Sequence, residues 1–173
     1  MGHVQQRDGR WCIVDLVGKH GRVRTIQVPS TILLSRLHDA FQAVMGWTDS
    51  HMHQWEKDGL YWGVPEHYEE DGIEVIDESK VPVRRVLRAE GETMVYVYDL
   101  GDNWRHQVVL EKILPSDAPT KPVCIAGERR CPPEDVGGPS GYQKGFGGHL
   151  PTRARGILTF SWMGWWEVPD GRA

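Results

Sequence analysis

Two runs of β-branched and aromatic residues flank a short polar turn late in the chain, and they constrain the fold more than any other feature. Thr93-Met94-Val95-Tyr96-Val97-Tyr98-Asp99 and Trp104-Arg105-His106-Gln107-Val108-Val109-Leu110-Glu111 are joined by Leu100-Gly101-Asp102-Asn103. Runs of this composition around a turn of Gly, Asp and Asn form an antiparallel hairpin. In a strand, alternate residues share a face, so Trp104, His106, Val108 and Leu110 point one way, while Arg105, Gln107 and Glu111 point the other. His106 is therefore expected to face inward among apolar neighbours.

The rest of the chain supplies partners for that hairpin. Trp11–Val17 and Arg22–Val28 are further β-rich runs, linked by Gly18-Lys19-His20-Gly21. Pro29-Ser30 then gives a stop and an N-cap residue. Leu34, Leu37, Phe41 and Val44 follow on one helical stripe, with Gly46 as a C-terminal stop. This spacing predicts a helix over about residues 31–45. Asp58-Gly59, between His51–Lys57 and Leu60-Tyr61-Trp62, predicts a second tight hairpin. Residues 66–78 hold seven acids and no base, which reads as a solvated acidic loop. Residues 81–87 suit either a short helix or a strand. From Pro115 to Gly148 prolines and glycines are dense, and regular structure should be sparse. One helix among many strands gives an α+β class, with a mostly antiparallel sheet and the N-terminal helix packed on it.

The domain is expected to span 1–143, followed by a Gly-, Arg- and Trp-rich tail over 144–173. Trp162, Trp165 and Trp166 fall along one helical side, an apolar patch that would dock on the domain, on a protein partner or on a second copy. The formal charge of −4 leaves few uncompensated cations, so strong general DNA binding is not expected. No run reaches the about 18–20 apolar residues of a membrane helix. The first residues lack the basic and apolar regions of a secretory signal, and three cysteines without framework spacing suit a reducing compartment. The expected location is cytoplasmic.

Several polar groups have the chemistry of a site. His51-x-His53 in a strand would aim both imidazoles at one ion, or simply place two hydrogen-bonded histidines beside a turn. Asp99 and Asp102 flank the turn before His106, as imidazole-orienting acids or as turn caps. Cys124 and Cys131 are separated by six residues, longer than the two to four of about every zinc knuckle. They suit either buried thiols or two thiolates of a site completed by His106 or His51. Glu134-Asp135 before Gly137-Gly138 admits a hard-cation site, an anion-binding loop, or a tight turn whose acids cap neighbouring amides. The metal-ligand candidates are thus His51, His53, His106, Cys124 and Cys131, with Asp99, Asp102, Glu134 and Asp135 as further polar positions. Zinc is the ion that imidazole and thiolate together would take; histidines with carboxylates alone would favour magnesium or manganese. No Gly-x-Ser-x-Gly elbow, His-Glu-x-x-His or dinucleotide fingerprint occurs.

An ordered set of motifs resembles the plasmid pRiA4b ORF-3-like family. It comprises Leu34-x-x-Leu37-His38, Gln42-x-x-Met45-Gly46-Trp47, His51-x-His53, Tyr96-x-Tyr98-Asp99-x-Gly101-Asp102-x-Trp104-x-His106, and Cys131-Pro-Pro-Glu-Asp-x-Gly-Gly with Gly141-Tyr142. The resemblance covers roughly residues 10–143 and implies a compact α+β domain found on plasmids and insertion elements, with no established activity. Some members carry a resolvase-like label. This acidic chain lacks the basic helical module and helix-turn-helix pattern of such an enzyme. After Gln143 the chain departs from the acidic helix that usually follows. Three functions are therefore weighed: a non-catalytic binding or accessory module of a mobile element, a metal-dependent hydrolase or nuclease, and a thiol-redox protein using Cys124 and Cys131.

Overall fold

The computed structural model describes residues 11–18, 22–69, 72–114, 121–128, 131–146, 158–160 and 166–167. Strands β1 (Trp11–Gly18) and β2 (Arg22–Pro29) pair antiparallel, and helix α1 (Leu34–Met45) follows. Then come β3 (His53–Lys57), β4 (Leu60–Gly63), β5 (Ile76–Asp77), the single turn α2 (Val83–Val86), β6 (Thr93–Tyr98) and β7 (Trp104–Leu114). Strand β8 (Val123–Glu128), helix α3 (Gly138–Phe146), β9 (Leu158–Phe160) and β10 (Trp166–Glu167) complete the order. The strands form a sheet in the order β10-β9-β8-β2-β1-β7-β6-β3-β4-β5. All neighbours are antiparallel except β4 and β5. The β6–β7 hairpin lies near the middle, as its long alternating runs demanded.

Period two decides the faces. Trp104, His106, Val108 and Leu110 of β7 are buried, while Arg105, Gln107 and Glu111 are exposed. Helix α1 covers that face with Leu34, Leu37, Phe41 and Met45. Phe41 is fully buried, with its ring 5.6 Å from Trp55 and 5.3 Å from Tyr96, both tilted to edge-on. Aromatic pairs in such geometry add to the stabilisation from burial alone. Gly46 closes the helix at φ 73°, in the left-handed region that glycine adopts without strain. Asp58 and Gly59 both have positive φ, which is the two-residue hairpin turn expected there.

Two expectations are corrected. The helix begins at Leu34, not near 31, and Ser30 does not cap it. Ser30 is buried, and the backbone of 30–34 is used elsewhere: Leu34 N donates to Val81 O at 2.9 Å, and Val83 N to Ile32 O at 2.8 Å. Pairing with the segment before α2 thus meets the helix's first amide need in place of a side-chain cap. Residues 81–87, left open between helix and strand, contain that helical turn. The stretch from Pro115 to Gly148 also holds more regular structure than its prolines and glycines suggest, since β8 pairs with β2 and α3 runs from Gly138. Helix α3 passes residue 143, and Leu158 pairs with Cys124 of β8. Trp162 and Trp165 lie outside the described residues. Among the described residues, no helix is long and apolar enough to cross a membrane.

Candidate functional site: two histidine clusters beside one loop

Between α1 and β3 the segment Trp47–Met52 crosses the end of the sheet, and its polar residues face two ways. On the inner side, Asp49 meets His38 of α1; on the outer side, His51 meets the β6–β7 turn and the loop before α3.

The inner cluster is built on the apolar face of α1. His38 occupies the stripe between Leu37 and Phe41 and is buried. Its ring stacks on that of His53, centroids 3.5 Å apart and planes 7° apart. The bonds fix the proton positions. Asp49 N donates to Gln42 Oε1 at 3.0 Å, which orients the Gln42 amide so that its Nε2 donates to the Tyr96 hydroxyl at 3.1 Å. Tyr96 O–H then donates to His38 Nδ1 at 2.7 Å, and His38 Nε2–H donates to Asp49 Oδ1 at 2.8 Å. His53 Nε2–H donates to Glu78 Oε2 at 3.0 Å, and the same oxygen accepts from Trp55 Nε1 at 2.8 Å. Burial first, and the neighbouring His53 second, hold the His38 pKa below the ordinary 6.5, against the opposing pull of Asp49. Burial likewise drives the Tyr96 hydroxyl well above its ordinary value. Both rings serve a closed hydrogen-bond network.

Glu78 corrects the reading of 66–78 as a solvated acidic loop. It is 3% exposed, where its carboxylate joins the histidine and the indole. Its neighbour Asp77 does cap, accepting from Ser79 N at 2.9 Å. His38, Asp49 and Glu78 are site residues outside the candidates named from the sequence. For His38 the signal was present, since it lies on the same helical stripe as Leu34 and Phe41. For Glu78 and Asp49 nothing local distinguishes them from surface acids.

The outer cluster is open to solvent. His51 Nε2 lies 3.0 Å from Asp135 Oδ1 and 3.8 Å from Asp99 Oδ2. Asp99 adopts φ 54° and caps its own turn: its Oδ1 accepts from Gly101 N and Asp102 N, each at 3.1 Å. The 131–137 loop is tied down beside it. Glu134 Oε2 accepts from Thr48 N at 3.0 Å and from Thr48 Oγ1 at 2.6 Å, and Tyr98 O–H donates to Glu134 Oε1. Partial burial would raise the Glu134 carboxyl, but the bonds from Thr48 and Tyr98 outweigh it and hold the group below its usual range. Tyr98 is raised strongly, first by burial and then by Glu134. Trp47 stacks on Tyr98 at 4.6 Å and donates Nε1–H to Pro132 O at 2.9 Å. Gly138 explains its own glycine: a Cβ there would sit 2.4 Å from Asp102 O, so only a hydrogen lets the loop close on the turn.

The structure therefore separates residues that the sequence placed together. His51 precedes β3 and does not share a face with His53. Among the described residues, two groups of three ligand-type side chains have donor atoms within 4.8 Å of one another: His38, Asp49 and His53, and His51, Asp99 and Asp135. Neither includes His106, Cys124 or Cys131. His106 is buried against Trp47 and Tyr96, its Nδ1 donating to Trp104 O at 3.2 Å. Cys12, Cys124 and Cys131 form no disulfide with one another. Cys124 is buried in β8, which raises its pKa, and donates to Ala126 O at 3.4 Å. Cys131 receives Arg24 Nη2 at 2.8 Å and packs 3.4 Å from Met45 Sδ. Asp102 Oδ2 is buried with no hydrogen-bond partner among the described residues.

The spacing that brings these loops together is that of a known family. The model of the plasmid pRiA4b ORF-3-like proteins matches residues 14–147. The chain belongs to that family. It is 39% identical over 145 residues to the uncharacterized protein y4hQ of Sinorhizobium fredii, covering 82% of this chain and 73% of that one. It is also similar to the crystal structure of MM3350, a protein of unknown function from Methanosarcina mazei Go1. There the TM-score is 0.67 at 33% identity, with 78% of each chain covered. The polar positions quoted for the pRiA4b ORF-3-like motifs fall mainly on the two clusters and the 131–137 loop between which they divide.

Proposed function

We propose that this member of the plasmid pRiA4b ORF-3-like family is a non-catalytic binding or accessory module of a mobile element. The observation that carries this reading is how the motif side chains are used. Glu134 holds Thr48 and Tyr98, Trp47 holds Pro132, and His38 stacks on His53, which holds Glu78. Groups spent on bonds between loops shape a rigid rim and are not free to move protons in a reaction. The rim is acidic and the whole chain carries a formal charge of −4, which favours a partner other than the nucleic-acid backbone.

The test is a turnover panel run beside a stability measurement. The purified chain should hydrolyse neither DNA, RNA nor a chromogenic phosphodiester with Mg2+, Mn2+ or Zn2+ supplied. Glu134→Gln should lower the melting temperature, consistent with about 1–3 kcal/mol for a polar group left unpaired. Metal-dependent hydrolysis that disappears in His51→Gln without loss of stability would overturn the reading. Random duplex DNA should give no tight, salt-sensitive gel shift at moderate ionic strength.

A further inference from the structure

The geometry points to a divalent-cation site at His51, Asp99 and Asp135, on the rim between the β6–β7 turn and the loop before α3; this goes beyond the binding-module reading and does not require it. The inner cluster is the natural rival, and its bonds disqualify it. His38 presents Nε2–H, not a lone pair, towards Asp49, because Tyr96 already occupies Nδ1 as a donor. The His38 and His53 rings are also stacked face to face, so their in-plane lone pairs run parallel and do not converge on one ion.

The outer cluster has the opposite character. Two carboxylates flank one ring nitrogen, at 3.0 and 3.8 Å. Ligand bonds of about 2.0–2.2 Å place donor atoms about 3.0–4.3 Å apart around one ion, so these separations already lie within the coordination range. Asp99 is oriented for this. It is 9% exposed, its Oδ1 is held by two backbone amides, and its Oδ2 faces His51 at 3.8 Å, beyond hydrogen-bond distance. The amides on Oδ1 fix the plane of the carboxylate in the way that outer contacts orient metal ligands. The unpartnered Asp102 Oδ2 on the same turn adds negative potential nearby.

The donor set names the class of ion. One imidazole and two carboxylates suit a borderline divalent ion such as Mn2+ or Zn2+, with water in the open positions. His51 is half-buried and Asp135 largely exposed, so the ion would face solvent at the rim. On binding, His51 would take the Nδ1–H tautomer, so that Nε2 presents a lone pair to the ion.

The experiment strips the full chain with chelator and titrates Mn2+, read by calorimetry and by loss of the free-ion electron paramagnetic resonance signal. One ion per chain is expected. Asp135→Asn and His51→Gln should each weaken it at least tenfold with little change in melting temperature. Asp99→Asn keeps the Oδ1 acceptor for both amides and should do the same. Asp49→Asn, on the inner cluster, should leave affinity unchanged. No binding at millimolar Mn2+, binding indifferent to Asp135→Asn, or binding lost with Asp49→Asn and retained with His51→Gln would each overturn the site. Since the readout is binding and not turnover, its failure is distinct from that of the binding-module reading.

Discussion

His38–His53 and His51–Asp99–Asp135 are made from the same residue types and meet at one loop, yet they are physically unlike. In the inner pair every ring proton named above has an acceptor, and the rings are stacked within the core formed by α1, β3 and β6. In the outer group one ring nitrogen faces two carboxylates, and one of those is largely exposed. Burial separates the two. Desolvation makes an unpaired group expensive, so the buried cluster is closed, whereas water can serve whatever the rim leaves open. Histidine spacing carries no information about which case applies.

The comparison predicts unequal costs for matched substitutions. The largest belongs to the core under the inner cluster: Phe41→Ala should destabilise by about 3–5 kcal/mol in denaturant unfolding, since a fully buried ring leaves a cavity. A loss below about 1 kcal/mol would mean that α1 does not seal the sheet. Next comes Tyr96→Phe, which removes the hydroxyl shared by His38 and Gln42. It should cost about 1–3 kcal/mol, and a neutral result would show that the inner network is not closed as described. Smallest is Asp135→Asn on the rim, within about 0.5 kcal/mol of wild type, because its side chain is largely exposed and its one ion pair is screened. Thermal unfolding that ranks these three differently would break the contrast.

A pH series sharpens it. His38 has a folded pKa below its ordinary 6.5, through burial and then His53. The unfolded chain therefore binds a proton at this position more readily than the folded one. Stability from this group is complete above the ordinary value and declines as pH falls below it, until the folded pKa is reached. The melting temperature should drop between pH 7 and 5, and the drop should be shallower in His38→Gln. Parallel profiles would remove His38 as the source.

The elements were readable in the sequence where local pattern alone determines them. The β6–β7 runs, the α1 stripe with its Gly46 stop, and Asp58-Gly59 each follow from periodicity or backbone conformation. The start of α1 was not, because Val81 meets its first amide from elsewhere in the chain. The same limit governs the site. His51 and Asp99 were recognisable as chemistry, but their assembly with Asp135, and the separation of His53 towards Glu78, depend on loop placement. Pairing His51 with His53 assumed strand geometry, and the strand begins only at His53. Glu78 looked like one acid of seven, since burial of a single carboxylate leaves no trace in composition.

The bond from Thr48 to Glu134 joins residues 86 positions apart. Closing so long a segment costs entropy that the bonds and packing around it must repay. The 131–137 loop is a latch held by a few side-chain bonds at the rim. It would open in hydrogen exchange at a lower free energy than β6 and β7. A partner or ion that fastens this latch would slow local opening without altering the sheet beneath it.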